Sequence, residues 1–155
     1  MTCAAYGFIE FKELLDSDAD LLRVLQNASG LGLRQIAASE LYNFPDSVTP
    51  TGRAVCFCLT DSPSSLGVEY LLSNLDFADE AEIGMPLQSK DRLALIDSLV
   101  LSIFDNWPVT RFALALTYHC YIEETKEVLR QDILATLIQD FSAFAPPNCI
   151  YVVTA

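Results

Sequence analysis

Apolar residues along the chain change repeatedly between the period of a β-strand and the period of an α-helix. Helical spacing, with capping residues before it and Gly or Pro after it, predicts four helices, at residues 18–30, 61–75, 89–107 and 125–144. Runs rich in β-branched and aromatic residues predict strands at residues 4–11, 53–60, 110–122 and 149–154. The pattern of residues 33–42 fits a strand or a helix, and we assign a fifth strand because the helix before it has just ended. In the first strand, Gly7 suggests a β-bulge.

Two of these strands decide the expected layout. Residues 53–60 are apolar at both parities, which is typical of a strand buried on both faces and predicts helices on both sides of the sheet. Residues 110–122 alternate over an unusually long run and predict a central strand. The following helix has the length of a crossover connection, which would make this strand and 149–154 parallel. We therefore expect one domain over residues 1–155, of α/β or α+β class, built in three layers or in two, with a mixed sheet of about five strands and about four helices.

Composition adds a strong charge to this folded chain. The sequence is 52% hydrophobic, yet its 21 acidic and 9 basic residues give a formal net charge of −12. Such a charge disfavours binding to nucleic acid and to anionic membranes, and it favours basic partners through steering and complementarity. The basic residues form no cluster of the kind that nucleic-acid binding requires. The acidic surplus is spread along the chain and does not form a tail: it appears at Asp16, Asp18 and Asp20; at Asp76, Asp79, Glu80 and Glu82; and at Glu123, Glu124 and Glu127.

Cysteine usage and the first residues indicate the compartment. The cysteines are five in number, and most lie in apolar runs, where a free thiol behaves as a small hydrophobic group. The opening MTCAAYGFIEF lacks the basic start and the apolar core of a signal peptide, and no apolar run reaches the length of a membrane span. We therefore expect a cytoplasmic protein that does not bind a membrane.

The candidate chemistry is sparse. Cys56, Cys58, His119 and Cys120 are zinc-ligand types, but they lack the paired spacing of structural zinc sites, so we expect neither a metal nor another cofactor. His119 is the only imidazole available as a general base, and its strand parity places it away from Tyr118 and Cys120. No nucleophile elbow and no phosphate-binding glycine motif occurs. An enzyme is therefore not the expected class.

Size, acidity and the lack of catalytic motifs are typical of bacterial immunity proteins and small toxin antagonists. Our leading hypothesis is an intracellular protein that neutralises a basic partner, most readily a nuclease-like bacterial toxin. One alternative is an acidic secretion chaperone, and another is a small enzyme or ligand-binding domain that uses His119 and a cysteine. The oligomeric state is not predicted. The residues expected to bind the partner are Asp76, Asp79, Glu80 and Glu82, supported by Asp16, Asp18 and Asp20.

Overall fold

The computed structural model describes residues 3–13, 18–68, 71–72, 86, 88–142 and 146–155. These residues form a mixed six-stranded sheet and three α-helices, which confirms the expected fold class. The strands are β1 (Cys3–Phe11), β2 (Gly32–Gln35), β3 (Arg53–Thr60), β4 (Val109–Tyr118), β5 (Glu124–Leu129) and β6 (Cys149–Thr154). The helices are α1 (Asp18–Ser29), α2 (Ser89–Asn106) and α3 (Ile133–Phe141), and short 3-10 turns occupy Ala38–Glu40, Asp46–Val48 and Arg130–Asp132.

The sheet has the strand order β2-β3-β1-β4-β6-β5, so the first strand of the chain lies near its middle. Every neighbouring pair is antiparallel except β5 and β6. Gly7 lies opposite Phe57 and Leu114 in regular pairing, and the irregularity of β1 falls between Glu10 and Phe11 instead. A Cβ at position 7 would collide with the carbonyl oxygen of Ala113. The glycine therefore permits a close backbone approach and does not mark a bulge.

Helices α1 and α2 confirm two of the predicted helices and their ends. In α1, Leu21, Leu22 and Leu25 are buried against the sheet, as their helical spacing requires. The helix ends at Gly30, whose φ of 76° is in the left-handed region and whose N–H donates to the carbonyl of Gln26 at 2.9 Å. Helix α2 buries five apolar residues: Leu93, Ile96, Leu99, Val100 and Ile103.

The three helices contribute to one core on one face of the sheet, which we call the helix face. Val55, Phe57 and Leu59 of β3 point to this core. Cys56 and Cys58, which alternate with these residues along β3, contribute to a second cluster on the opposite face, which we call the loop face. There the covering segment is residues 36–52, the cover loop, which packs Leu41, Phe44 and Val48 on the sheet. The expectation of helices on both sides of the sheet is therefore wrong for the described residues, because a loop supplies the second apolar layer.

The helix predicted at residues 61–75 is absent from the described part of that range, residues 61–68 and 71–72. There the backbone forms turns, with the N–H of Asp61 donating to Gly67 and that of Ser65 donating to Ser62. The hydroxyl of Ser62 hydrogen-bonds those of Ser64 and Ser65. Serine side chains that satisfy one another and the local backbone favour turns over a helix, which explains the error.

The strand predicted at residues 110–122 ends at Tyr118, and the helix predicted from residue 125 starts only at Ile133. Between them lies β5, which pairs in parallel with β6. The parallel crossover is therefore β5-α3-β6, whereas β4 runs antiparallel to β6, contrary to expectation. Pairing with β6 outweighs the helical spacing of residues 125–130, because hydrogen bonds in the sheet override local propensity.

Candidate functional site

A groove of about 480 Å³ opens at the end of the sheet where β1 begins and β3 ends. Small-molecule sites in proteins have volumes of roughly 300–1,000 Å³ and combine apolar walls with a few polar groups. Strands β1, β2 and β3, the cover loop, the turns after β3 and the turn after β4 all contribute to its walls. The residues that give it chemical character are Tyr6, Arg34, Glu40, Tyr42, Cys58 and Cys120.

Arg34 and Cys58 are cross-strand partners in the groove. They lie directly opposite each other in the β2–β3 pair, which places both side chains on the same face of the sheet. A hydrogen bond to the Cys58 thiol, together with the charge of Glu40, raises the pKa of the Arg34 guanidinium. Glu40 is itself held in place, because its Oε2 accepts the N–H of Ala37 at 2.7 Å. One wall of the groove thus presents a cation, an anion and a half-buried thiol together.

Tyr6 contacts the second thiol of the groove. Its hydroxyl donates to the carbonyl of Tyr42 at 2.6 Å, and it also hydrogen-bonds the thiol of Cys120. Burial of the hydroxyl, with a further contribution from Cys120, raises the pKa of Tyr6. In the β1–β3 pair Tyr6 lies directly opposite Cys58, so this one tyrosine neighbours both thiols.

The turn after β4 holds strained backbone. His119 and Cys120 have φ values of 55° and 60°, and the N–H of Tyr121 donates to the carbonyl of Tyr118 at 3.1 Å. Two successive left-handed residues define a type I′ turn, which usually takes Asn and Gly. Asn43 of the cover loop, with φ 65°, donates its side-chain N–H to the carbonyl of Cys120 at 2.7 Å. Among the described residues, every non-glycine residue with positive φ therefore lies here, and such strain clusters at functional sites.

This geometry corrects the placement of His119. The residue is exposed on a turn and does not share a strand face with Thr117 and Tyr121, since β4 ends at Tyr118. Its ring meets the Tyr118 ring edge-on, with centroids 4.7 Å apart. The groove contains the thiol of the following residue, Cys120, and the imidazole is not among its lining groups.

Exposed apolar side chains occur on three of the segments that form the groove. Tyr42 is 55% exposed, Leu66 is 86% exposed and Tyr121, next to Cys120, is 60% exposed. Phe44, by contrast, packs on Tyr6 with ring centroids 5.3 Å apart and holds the cover loop to the sheet. Tyrosine is one of the residues that most often dominate the binding energy of protein–protein interfaces, and Tyr42 and Tyr121 are exposed on segments that the fold holds in place.

The acidic residues predicted to bind a partner fall mainly outside the described residues. This is so for Asp76, Asp79, Glu80 and Glu82, and also for Asp16. Asp18 is the first residue of α1, and Asp20 is exposed with its carboxylate 3.0 Å from Arg23. The assignment of these residues to a binding site therefore stays a prediction.

The other cysteines whose side chains are described are buried. Burial raises the pKa of Cys56, and burial together with the charge of Glu124 raises the pKa of Cys149 to about 12. The described part of the chain has no group of three or more His, Cys, Asp or Glu side chains placed to hold a metal ion. In the same residues, no helix combines the length and the hydrophobicity that crossing a membrane requires.

Comparison with known proteins assigns no relative: no family model, no curated protein and no solved structure matches the chain. The function is therefore argued from the residues themselves. Sequence reasoning singled out Cys58 and Cys120, but it did not bring them together in a groove, and it gave Arg34 and Glu40 no role. The hydrophobic pattern of residues 33–42 predicted one continuous strand, which hid the turn that brings Glu40 and Tyr42 to the groove.

Proposed function

We propose that this protein is an acidic binding protein that neutralises a basic protein partner, as an immunity or antitoxin protein neutralises a nuclease-like toxin. The observation that supports the proposal is the surplus of carboxylates over cations, 21 against 9. A surface of one predominant charge speeds encounter with a partner of opposite charge and disfavours other partners.

The contacts of the basic residues strengthen this argument. Lys126, Arg130 and Arg23 each lie within 3.1 Å of a carboxylate, those of Asp140, Asp105 and Asp20. Arg111 is largely buried beside Glu10, and Arg92 is 1% exposed within α2. Arg92 and Arg111 are thus engaged within the fold, whereas Arg23 and Arg130 form ion pairs at the surface. Few cations are left to offset the surplus of carboxylates.

Exposed carboxylates occur on several elements of the described structure, including Glu13, Asp46, Asp91, Glu123, Glu127 and Asp132. They are dispersed, whereas Asp76, Asp79, Glu80 and Glu82 fall within seven consecutive positions of the sequence. A dense group of carboxylates gives the strongest local attraction for Arg and Lys side chains. We therefore assign the first contact with the partner to residues 76–82, with Asp16, Asp18 and Asp20 in support.

The test begins with affinity capture from cells that express the protein, at low and at high salt. A captured basic protein is then purified, and its activity and its association rate with this protein are measured directly. We expect inhibition of that activity. The variant Asp76→Asn, Asp79→Asn, Glu80→Gln, Glu82→Gln should lower the association rate roughly tenfold or more and weaken its salt dependence.

A matched variant removes the same number of charges elsewhere: Asp46→Asn, Asp91→Asn, Glu127→Gln, Asp132→Asn. It should retain most of the association rate. Equal losses in the two variants would show that only net charge matters and would overturn the site assignment. Failure to inhibit any captured basic protein would overturn the function itself.

The groove favours a second candidate, a domain that binds a small ligand. Its volume is that of a small-molecule site, and its walls offer Arg34, Glu40 and two thiols among apolar groups. This candidate rests on the shape and lining of the groove and not on the surplus of carboxylates over cations.

A further inference from the structure

The thiols that line the groove can be reached by a small molecule from solvent, unlike the other described thiols. Cys58 and Cys120 are half-buried and line the groove, whereas Cys56 and Cys149 are buried in the two apolar clusters. A thiol reacts as its thiolate and only where a reagent can reach the sulfur. The groove therefore selects two of these four cysteines for contact with a small molecule.

Cys58 is the better placed of the two for reaction. Arg34 lies directly opposite Cys58 in the β2–β3 pair, and both residues line the groove. Reactive cysteines are commonly found beside a Lys, Arg or His cation. Cys120 instead contacts the hydroxyl of Tyr6, a neutral group whose pKa is raised by burial. Two thiols in one groove thus have a charged and an uncharged neighbour.

The charges beside Cys58 indicate what kind of molecule fits. Arg34 supplies a donor for a carboxylate, and Glu40 supplies an acceptor for an ammonium group in the same wall. A small peptide thiol is zwitterionic and carries both groups, and about 480 Å³ accommodates a ligand of that size.

We propose that Cys58 is a thiol–disulfide exchange site at which the groove receives a small disulfide of a zwitterionic peptide thiol. The Cys58 thiolate attacks one sulfur of that disulfide and forms a mixed disulfide as the original S–S bond breaks. The second half leaves as a thiolate and takes a proton from water. No further oxidant is needed, and the proposal does not depend on a basic protein partner.

The test uses oxidised glutathione as the probe on the folded, reduced protein in a Cys3→Ser background, which leaves the four cysteines discussed above. Adducts at each cysteine are quantified over time by peptide mapping and mass spectrometry. We expect the Cys58 adduct to form at least about tenfold faster than adducts at Cys56 or Cys149, which burial protects. Cys120, in the same groove, should also react more slowly than Cys58.

Arg34→Gln should slow the reaction of Cys58 about threefold to fivefold, the range expected for one partly exposed charge pair. Arg53→Gln, at the opposite end of β3, is the matched control and should leave the rate unchanged. Glu40→Gln should slow exchange with glutathione disulfide but not with the uncharged 2-hydroxyethyl disulfide. Circular dichroism verifies that each variant is folded.

Preferential labelling of Cys120, or equal labelling of all four cysteines in the folded protein, would overturn the assignment of Cys58. An unchanged rate in Arg34→Gln would overturn the role of the guanidinium. If Glu40→Gln affected both disulfides equally, recognition of a zwitterion would be refuted. The relative rates of the four cysteines in the Cys3→Ser protein, whose groove is unchanged, test the assignment of Cys58 even if a variant fails to fold.

Discussion

Glu10 and Arg111 show how single residues hold the cover loop to the sheet. Glu10 Oε2 accepts the N–H of Thr51 at 2.8 Å, while Arg111 donates to the carbonyl of Thr49 at 2.8 Å and lies 5.2 Å from the Phe8 ring centroid. Burial of Glu10 disfavours its charged form, but the Thr51 amide and the Arg111 guanidinium outweigh it and lower the pKa of the carboxyl. The carboxylate is thus a stabilising anchor of the loop.

We expect Glu10→Gln to lower the free energy of unfolding by roughly 1–2 kcal/mol near neutral pH, because charged hydrogen bonds are lost. Since the pKa of Glu10 is lower in the folded state, its contribution is complete above the ordinary value of 4.5 and is lost as the pH falls through the folded-state pKa. Urea unfolding at several pH values should therefore show the difference from wild type narrowing below about pH 5. A difference that stays constant with pH would contradict this account, and exposed Glu13→Gln is the control.

Cys120 carries a backbone cost that glycine would not. At a φ of 60° a side chain costs of the order of 1 kcal/mol relative to glycine. Cys120→Gly relieves this strain and retains the carbonyl that Asn43 contacts. We therefore expect urea unfolding to show that the free energy of unfolding rises by about 0.5–1 kcal/mol. Gly30→Ala introduces a side chain at a φ of 76° where the added Cβ meets no other atom, so strain alone should lower the free energy of unfolding by a similar amount. A destabilised Cys120→Gly would mean that the thiol contact with Tyr6 outweighs the strain.

At the scale of elements, one polar cluster joins the parallel unit β5-α3-β6. Asp140 of α3 lies 2.8 Å from Lys126 of β5 and accepts the hydroxyl of Tyr151 of β6 at 2.7 Å. Burial and this hydrogen bond raise the pKa of Tyr151, and the carboxylate of Asp140 raises the pKa of Lys126. The cluster links β5 to α3 and β6. These contacts help to explain why residues 125–129 form a strand although their apolar spacing predicts a helix.

Tyr151→Phe should lower the free energy of unfolding by about 1.5–3 kcal/mol, because a buried hydrogen bond to a charged group is lost. Amide hydrogen exchange should quicken most in β5 and α3, which the cluster holds to β6. Tyr121→Phe removes a hydroxyl from a 60% exposed tyrosine and should change stability little. Equal effects of the two substitutions would show that the cluster does not hold this unit together.

The elements also show what sequence can predict. Helices α1 and α2 and strands β1, β3 and β6 follow from their own apolar spacing and end signals. Strand β5 does not, because its partner β6 is separated from it by a whole helix, and that pairing outweighs a helical pattern. The groove was not predictable for the same reason: Arg34, Glu40, Cys58 and Cys120 converge only after distant strands have paired.

At the scale of the whole molecule, the two faces of the sheet differ in how they are covered. In the part of the chain that the structure describes, three helices cover one face, whereas on the other the cover loop is held by polar anchors and a small aromatic cluster. Loops tolerate changes of sequence and shape more readily than packed helices, so binding sites are commonly carried on them. The groove and the strained turn both lie beside this loop, which places the adaptable surface of the molecule there.

The central position of β1 has a consequence for synthesis. Thr117 of β4 donates to the carbonyl of Ala4, a residue 113 positions earlier in the chain. A nascent chain that has not yet produced β4 can pair β1 with β3 on one side only, leaving an apolar strand with an open edge. Such edges invite association with other chains, so a chain that is truncated before Val109 would be prone to aggregation. The exposed edge of β1 is covered only after β4 has been synthesised and has paired with it.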